Sequence, residues 1–226
     1  MTKSEYERIE AFMVSRMTDS AHDKEHIYRV LYSALDIAKT EHDVDTDVLI
    51  AACLLHDIGR DKQYKDPMLC HAAEGGEMAY QYLLTIGWTE EKAARVKSAI
   101  ASRRFRSDNP PESIEARILF DSDKLDAAGT LGIVRTLIYK GQVGDKLYST
   151  DDAGNVIDGE NDPDNTFFNE YKFKLENVYD RFYTARGREM AMRRKKPAED
   201  FWDSLRGDVV EIHRRGIELL ESEKLI

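Results

Sequence analysis

The sequence predicts an all-α fold, with a helical core and additional helices toward the C-terminal end. Three observations carry this. Apolar residues recur at spacings of three and four in one segment after another. No run alternates with a period of two for long enough to require a sheet. The most apolar stretch, Val48-Leu49-Ile50-Ala51-Ala52-Cys53-Leu54-Leu55, is apolar on every side, as a helix enclosed by its neighbours must be, and it stops at His56-Asp57-Ile58-Gly59.

The elements follow in order. Ser4 to Met17 reads as a helix through Tyr6, Ile9, Phe12 and Met13, and Asp19-Ser20 ends it. Lys24 to Thr40 is amphipathic, with Ile27, Val30, Leu31, Ala34, Leu35 and Ile37 on one face and His26 in the first turn. Asp47 is placed to cap the buried helix, and Gly59 to stop it. Ala72 to Leu84 and Glu90 to Ser102 are helices, followed by a basic loop, Arg103 to Arg106, and Pro110-Pro111. Ser113 opens a helix through Leu125 that carries Asp121, Ser122 and Asp123. Ile133 to Tyr139 is a short helix, and Gly141 to Asn165 a polar loop. Phe167 to Phe182 and Pro197 to Glu221 are longer helical segments. The chain is read as one domain over 1–226: a core at 20–140, a loop at 141–165 and a helical extension at 166–226.

Of the 226 residues, 42% are hydrophobic and 34% charged, which fits a globular protein with a substantial core. A net charge of −10 repels phosphate backbones, so a nucleic-acid partner is not expected. Cys53 and Cys70 form no CxxC pair and read as reduced thiols. The first residues are polar, and no apolar run is long enough for a membrane span. The expected location is cytoplasmic, with no membrane partner.

Three separated segments place metal-ligand side chains beside apolar faces: His26, the pair His56-Asp57, and Asp121-Ser122-Asp123. A carboxylate at the inner end of a buried helix costs several kcal/mol unless its charge is compensated, and a bound cation compensates it. Two imidazoles and two carboxylates suit one divalent ion of intermediate softness. Such an ion lowers the pKa of a bound water and neutralises phosphate charge.

These motifs resemble the H…HD…D signature of the HD-domain metal-dependent phosphohydrolase superfamily. The segment from His22 to Val30 resembles the family's first helix, and Leu54 to Arg60 its central one. Asp121 to Gly132 resembles the DADKLDAxGxxG segment of a bacterial subgroup of HD phosphohydrolases. The resemblance covers residues 20–140, and more weakly Tyr171 to Glu211. It implies an HD-domain helical bundle and one divalent metal ion (Mn, Fe, Ni, Zn, Co or Mg). It implies His26, His56, Asp57 and Asp123 as ligands, with Asp121 the alternative to Asp123; the aspartate left out would hydrogen-bond a ligand histidine.

The reaction implied is hydrolysis of a phosphoester or phosphoanhydride of a small molecule such as a nucleotide. Catalytic roles fall to His56, Asp57, Asp61 and Lys124, with Asp121 and Asp126 as further proton acceptors. Substrate contacts fall to His22, Arg60, His71, Arg103 and Arg104. His71 stands in a His-Ala-x-x-Gly-Gly context. Arg103 stands where the subgroup has histidine, which argues for one ion rather than two and opens a second reading: a regulatory module that binds metal or nucleotide without turnover. A third reading, di-iron oxygen chemistry, needs more histidines than the sequence places.

Other features have plainer readings. His42 and His213 are read as solvated, and the basic run Arg193 to Lys196 as the end of a helix, where the macrodipole favours cations. The acidic loop from Asp145 to Asp164 fails the EF-hand pattern and reads as solvated, able to cover the site. The aromatic residues from Tyr171 to Tyr183 read as core, with a surface on which a homodimer could form.

Overall fold

The computed structural model describes residues 1–17, 24–60, 68–102 and 110–224. Its regular elements are helices: α1 (Lys3–Val14), α2 (Lys24–Ala38), α3 (Thr46–Leu55), α4 (His71–Thr85), α5 (Glu90–Ser102), α6 (Ile114–Leu125), α7 (Gly129–Val143), the short α8 (Phe167–Glu170) and α9 (Ala185–Ser222). Among the described residues there is no strand, only an isolated bridge between Thr150 and Val156. None of the described helices is long and apolar enough to cross a membrane.

The chain divides into two compact units. One comprises Met1–Asp126 with Phe182–Glu189, the other Ala127–Arg181 with Met190–Ile226. In the first, α3 is packed by α1, α2, α4, α5 and α6. Its all-apolar sequence requires this: Val48, Leu49, Ala51, Ala52, Cys53, Leu54 and Leu55 are all fully buried. Each large aliphatic side chain buried there contributes about 1.5–3 kcal/mol. Burial also pushes the Cys53 thiol well above its ordinary range, so that cysteine is an inert core residue.

Helix caps at the start of α1 and α6 follow the sequence, and that of α3 needs a correction. Thr2 and Glu5 close α1 with a reciprocal capping box, and Ser113 accepts from the Ala116 N–H to open α6. The cap of α3 is Asp45 rather than Asp47: its carboxylate accepts from the Asp47 and Val48 N–H groups, while Asp47 accepts from Lys92 Nζ at 2.7 Å.

Gly59 does more than end a helix. The helix already stops at Leu55, and residues 56–59 form a turn pressed against the start of α4. A Cβ on Gly59 would lie 2.3 Å from the His71 carbonyl oxygen and 2.5 Å from the Gly75 nitrogen. Backbone meets backbone there, so no side chain can move aside.

The second unit is built on aromatic packing. Ile133, Phe167, Phe168, Tyr171, Leu175, Ala198 and Trp202 form its core, with Tyr171 and Trp202 stacked at 4.0 Å. Three expectations need correction here. First, Ile133 to Tyr139 is the middle of a longer helix, Gly129–Val143. Second, Phe167 to Phe182 is not one helix. It breaks into α8, a π turn at Tyr171–Leu175 and a 3-10 turn at Val178–Asp180. Asn177 Nδ2 donates to the Lys172 and Phe173 carbonyls, taking acceptors a continuing helix would use.

Third, α9 begins twelve residues before Pro197 and carries that proline in its interior, so Arg193 to Lys196 is mid-helix rather than a helix end. Ion pairs from Lys195 to Glu199 and from Lys196 to Asp200 span the proline, and Ala198 and Trp202 pack into the core beyond it. His213 is not simply solvated: Tyr148 Oη lies 2.9 Å from its Nε2.

The two tryptophans report on different units, Trp88 on the first and Trp202 on the second. Gly59→Ala is expected to lower the stability of the first unit by about 1–3 kcal/mol through overpacking. Phe168→Ala is expected to cost the second unit about 3–5 kcal/mol through the cavity it leaves. Urea unfolding followed by fluorescence, with Trp88→Phe or Trp202→Phe isolating the other signal, checks both. Each substitution should shift the transition of its own unit.

Candidate metal centre

The site lies wholly within the first unit and is assembled from α2, the turn after α3, and α6. Because α3 is enclosed, the residues leaving its C-terminal end enter the interior: His56 is fully buried and Asp57 is 2% exposed. His26, in the first turn of α2, is also 2% exposed. Asp123, near the end of α6, is the member on the open side, its side chain 24% exposed.

Three residues, His26, His56 and Asp123, converge as a ligand set, and Asp57 lies beside the two imidazoles without belonging to it. His26 Nε2 and His56 Nε2 are 3.3 Å apart. Asp57 Oδ2 lies 3.6 Å from the first and 3.7 Å from the second. Asp123 Oδ1 lies 3.4 Å and 3.7 Å from the same two nitrogens. His26, His56 and Asp123 form a set whose ligand atoms are mutually within 4.8 Å.

Hydrogen bonds on the far side of each ring fix what these nitrogens present. His56 Nδ1 donates to the Cys53 carbonyl at 2.7 Å. His26 Nδ1 donates to Asp126 Oδ2 at 2.7 Å. With both Nδ1 atoms carrying the proton, both neutral rings aim an Nε2 lone pair at the same point as two carboxylates. Four lone-pair donors at this spacing repel one another unless a cation sits among them.

The His26–His56 and His26–Asp123 spacings, 3.3 Å and 3.4 Å, fit one, and the remaining 3.6–3.7 Å spacings are slightly wider. Donors about 2.1 Å from an ion are separated by roughly 3.0 Å at right angles and roughly 3.4 Å at tetrahedral angles. The electrostatics point the same way. Burial works against positive charge on His26, yet hydrogen bonds accepted by Asp123 and Asp126 and the nearby Asp57 charge outweigh it and raise the affinity of this ring for a proton. The residues present therefore suit a divalent ion of the borderline class.

The other sequence-derived residues distribute as follows. Asp121 does not join the cluster. Its Oδ1 accepts from the Tyr183 N–H at 2.9 Å, and its Oδ2 from the Thr184 N–H and Thr184 Oγ1, both at 2.7 Å. Burial pushes its carboxyl upward, opposed by these same donors. Asp121 thus pins residues 182–184 to α6, and the hydrogen bond to a ligand histidine that was expected of it is made by Asp126 instead.

Arg60 Nε donates to Asp57 Oδ2 at 2.6 Å, so its charge goes first to that buried carboxylate. Lys124 Nζ sits over the rings of Phe182 and Phe120, at 5.2 Å and 5.6 Å. His71, the first residue of α4, is buried beside the Gly59 turn but is not in the metal-ligand set. His22, Asp61, Arg103 and Arg104 lie outside the described residues.

Arg29 was missed by sequence reasoning. Its Nε donates to Asp126 Oδ1 at 2.7 Å and its Nη2 to Asp126 Oδ2 at 3.1 Å. The signal was present as spacing: Arg29 follows His26 by three residues, and Asp126 follows Asp123 by three, so each shares a helix face with a ligand.

Comparison with known proteins agrees with this geometry. Residues 24–128 match the sequence model of the HD domain. The Bacillus subtilis protein YpgQ, itself uncharacterized, is 29% identical over 209 residues, covering 90% of this chain and 93% of its own. The crystal structure of YpgQ in complex with ADP superposes with a TM-score of 0.70 at 27% identity, over 90% of this chain and 97% of that one. A structure described as a predicted HD superfamily hydrolase, from an uncultured Thermotogales bacterium, gives a TM-score of 0.59 at 27% identity, over 91% of this chain and 92% of that one. A Lactobacillus plantarum structure at 23% identity and a TM-score of 0.72 shares the fold. The segment that matches the HD domain, residues 24–128, is thus the one that brings His26, His56 and Asp123 together, and its helical architecture is shared with a structure described as a predicted HD superfamily hydrolase.

Proposed function

We propose that the protein is a metal-dependent phosphohydrolase acting on a small phosphorylated molecule, with nucleotides the leading class. The HD fold supports metal-dependent phosphoryl hydrolysis in general. The observation that carries the reading is the meeting of His26 Nε2, His56 Nε2, Asp57 Oδ2 and Asp123 Oδ1, with contacts of 3.3–3.7 Å to the two imidazoles. Nucleotides lead because the similar YpgQ was crystallised with ADP.

In this reading His26, His56, Asp57 and Asp123 hold the ion. Bound there, a divalent cation supplies acidification of water and neutralisation of phosphate charge. The chain's own groups do the rest. The backbone bond on His56 and the Asp126 bond on His26 keep the rings aimed. Arg60 neutralises part of the Asp57 charge and holds that carboxylate in place. Asp123 marks the side open to solvent, from which a phosphate approaches. Lys124, next to it in the chain, adds positive charge on that side. Water attacks phosphorus, the bond to the leaving oxygen breaks, and that oxygen departs with a proton.

The protein stripped by chelation and reloaded with Mn²⁺, Co²⁺, Ni²⁺, Zn²⁺ or Mg²⁺ is expected to hydrolyse at least one nucleotide, followed by phosphorus NMR. His56→Ala and Asp57→Ala should each lower the rate by roughly 10²–10⁴-fold, the equivalent of several kcal/mol of lost charge stabilisation. No metal-dependent turnover, together with a His56→Ala protein indistinguishable from wild type, would refute the reading. Metal-dependent nucleotide binding without turnover would turn it into that of a binding module.

A further inference from the structure

We infer that Asp126, clamped by Arg29, is the residue that sets the tautomer and aim of His26, and through it the affinity of the site for its ion. The inference deepens the metal-site reading above and rests on it.

A neutral imidazole can carry its proton on either nitrogen, and only one choice leaves a lone pair on Nε2. For His56 the choice is made by its own helix, through the Cys53 carbonyl three residues back. His26 is served from a distance: its Nδ1 meets the carboxylate of Asp126, one hundred residues along the chain, at the C-cap of α6. A carboxylate accepts and cannot donate, so the proton goes to Nδ1 and the lone pair to Nε2. A carboxylate behind a ligand imidazole also raises the basicity of the ring.

Asp126 in turn is 3% exposed, and a buried charge in that position would be costly alone. Arg29 offsets it with a two-point contact, Nε to Oδ1 at 2.7 Å and Nη2 to Oδ2 at 3.1 Å. The fork leaves the carboxylate one orientation, and Oδ2 is shared between the guanidinium and the imidazole. The clamp closes between α2, which supplies both His26 and Arg29, and the end of α6, which supplies Asp123 and Asp126. One contact therefore fixes the register of the two helices that bring ligands from opposite ends of the domain.

These bonds make Asp126 a positioning residue rather than the proton acceptor of the reaction. Its two oxygens are taken by Arg29 and by the far side of the ring.

The test measures metal binding directly, by competition of Co²⁺ or Mn²⁺ with a chromophoric chelator, on the full chain. Wild type is expected to bind one ion. Asp126→Ala should weaken binding by about 10–100-fold, the usual consequence of removing such a partner. Asp126→Asn, which can still accept from Nδ1 but lacks the charge, should lose less. Arg29→Lys keeps the charge without the fork and should weaken binding in the same direction; being partly exposed, it also serves should the Asp126 variants not fold. In the Co²⁺ protein, proton NMR should show two shifted exchangeable ring N–H signals, and Asp126→Ala should speed the exchange of one alone. A residue with a merely structural role would lower the melting temperature and leave both readouts unchanged in the folded protein. Folded Asp126 variants with wild-type affinity and two slowly exchanging signals would overturn the inference and leave the metal site standing. Absence of binding by wild type would overturn both.

Discussion

Everything at the centre of the first unit depends on the meeting of His26, His56 and Asp123, with Asp57 Oδ2 close to both imidazoles. Left to themselves such donors repel, and one of them, Asp57, is a carboxylate taken out of water. Such an arrangement persists only where surrounding structure holds each donor and opposite charge is close by. Arg60 on Asp57 and Arg29 on Asp126 provide part of that charge. The remaining position, among the four donors, suits a divalent ion. The cost of the cluster and its use are the same fact: a site that attracts a cation strongly is one that would be unfavourable without it.

The scaffold that imposes this is hydrophobic. Helix α3 has no polar face to turn toward water, so five helices cover it. Its direction then forces His56 and Asp57 inward at its end, and the turn behind them is pressed on α4 at Gly59 so closely that only hydrogen fits. The apolar sequence of Val48 to Leu55 thus does chemical service at a distance. It supplies no ligand, but it determines that the next two residues lie in the interior.

Much of this was legible in the chain. The helical period, the enclosed helix and the three ligand-bearing segments could be read from residue spacing, and the structure brings His26, His56 and Asp123 within ligand distance of one another. What escaped depended on particular side-chain contacts, some distant and some local. Nothing local says that Asp121 turns away to hold Tyr183 and Thr184, because its partners lie more than sixty residues on and two of the three are backbone N–H groups. The α-helix that starts at Phe167 ends at Glu170, and beyond it the Asn177 side chain bonds the Lys172 and Phe173 carbonyls, a contact helix periodicity does not register. Pro197 misled in the opposite direction. Local preference places a helix boundary there, whereas packing of Ala198 and Trp202 and flanking ion pairs carry the helix through.

The three aspartates of α6 show how one helix can serve two purposes. At about 100° per residue, positions 121 and 123 are rotated by roughly 200° and face opposite ways, whereas 123 and 126 return to within roughly 60° of each other. Asp123 and Asp126 accordingly face α2, one toward the ligand nitrogen of His26 and the other toward its far nitrogen. Asp121 faces residues 182–184, where its carboxylate takes three hydrogen bonds and where a Cβ on Gly187 would come within 2.7 Å of its Oδ2. The helix is therefore held on both sides by carboxylates that cannot exchange roles. A rotation that would bring Asp121 into the cluster would withdraw Asp123 and Asp126 together, release the far nitrogen of His26 and free residues 182–184. Between Asp121 and Asp123, it is Asp123 that lies beside the two imidazoles, and a single rotation of α6 satisfies all three side chains at once.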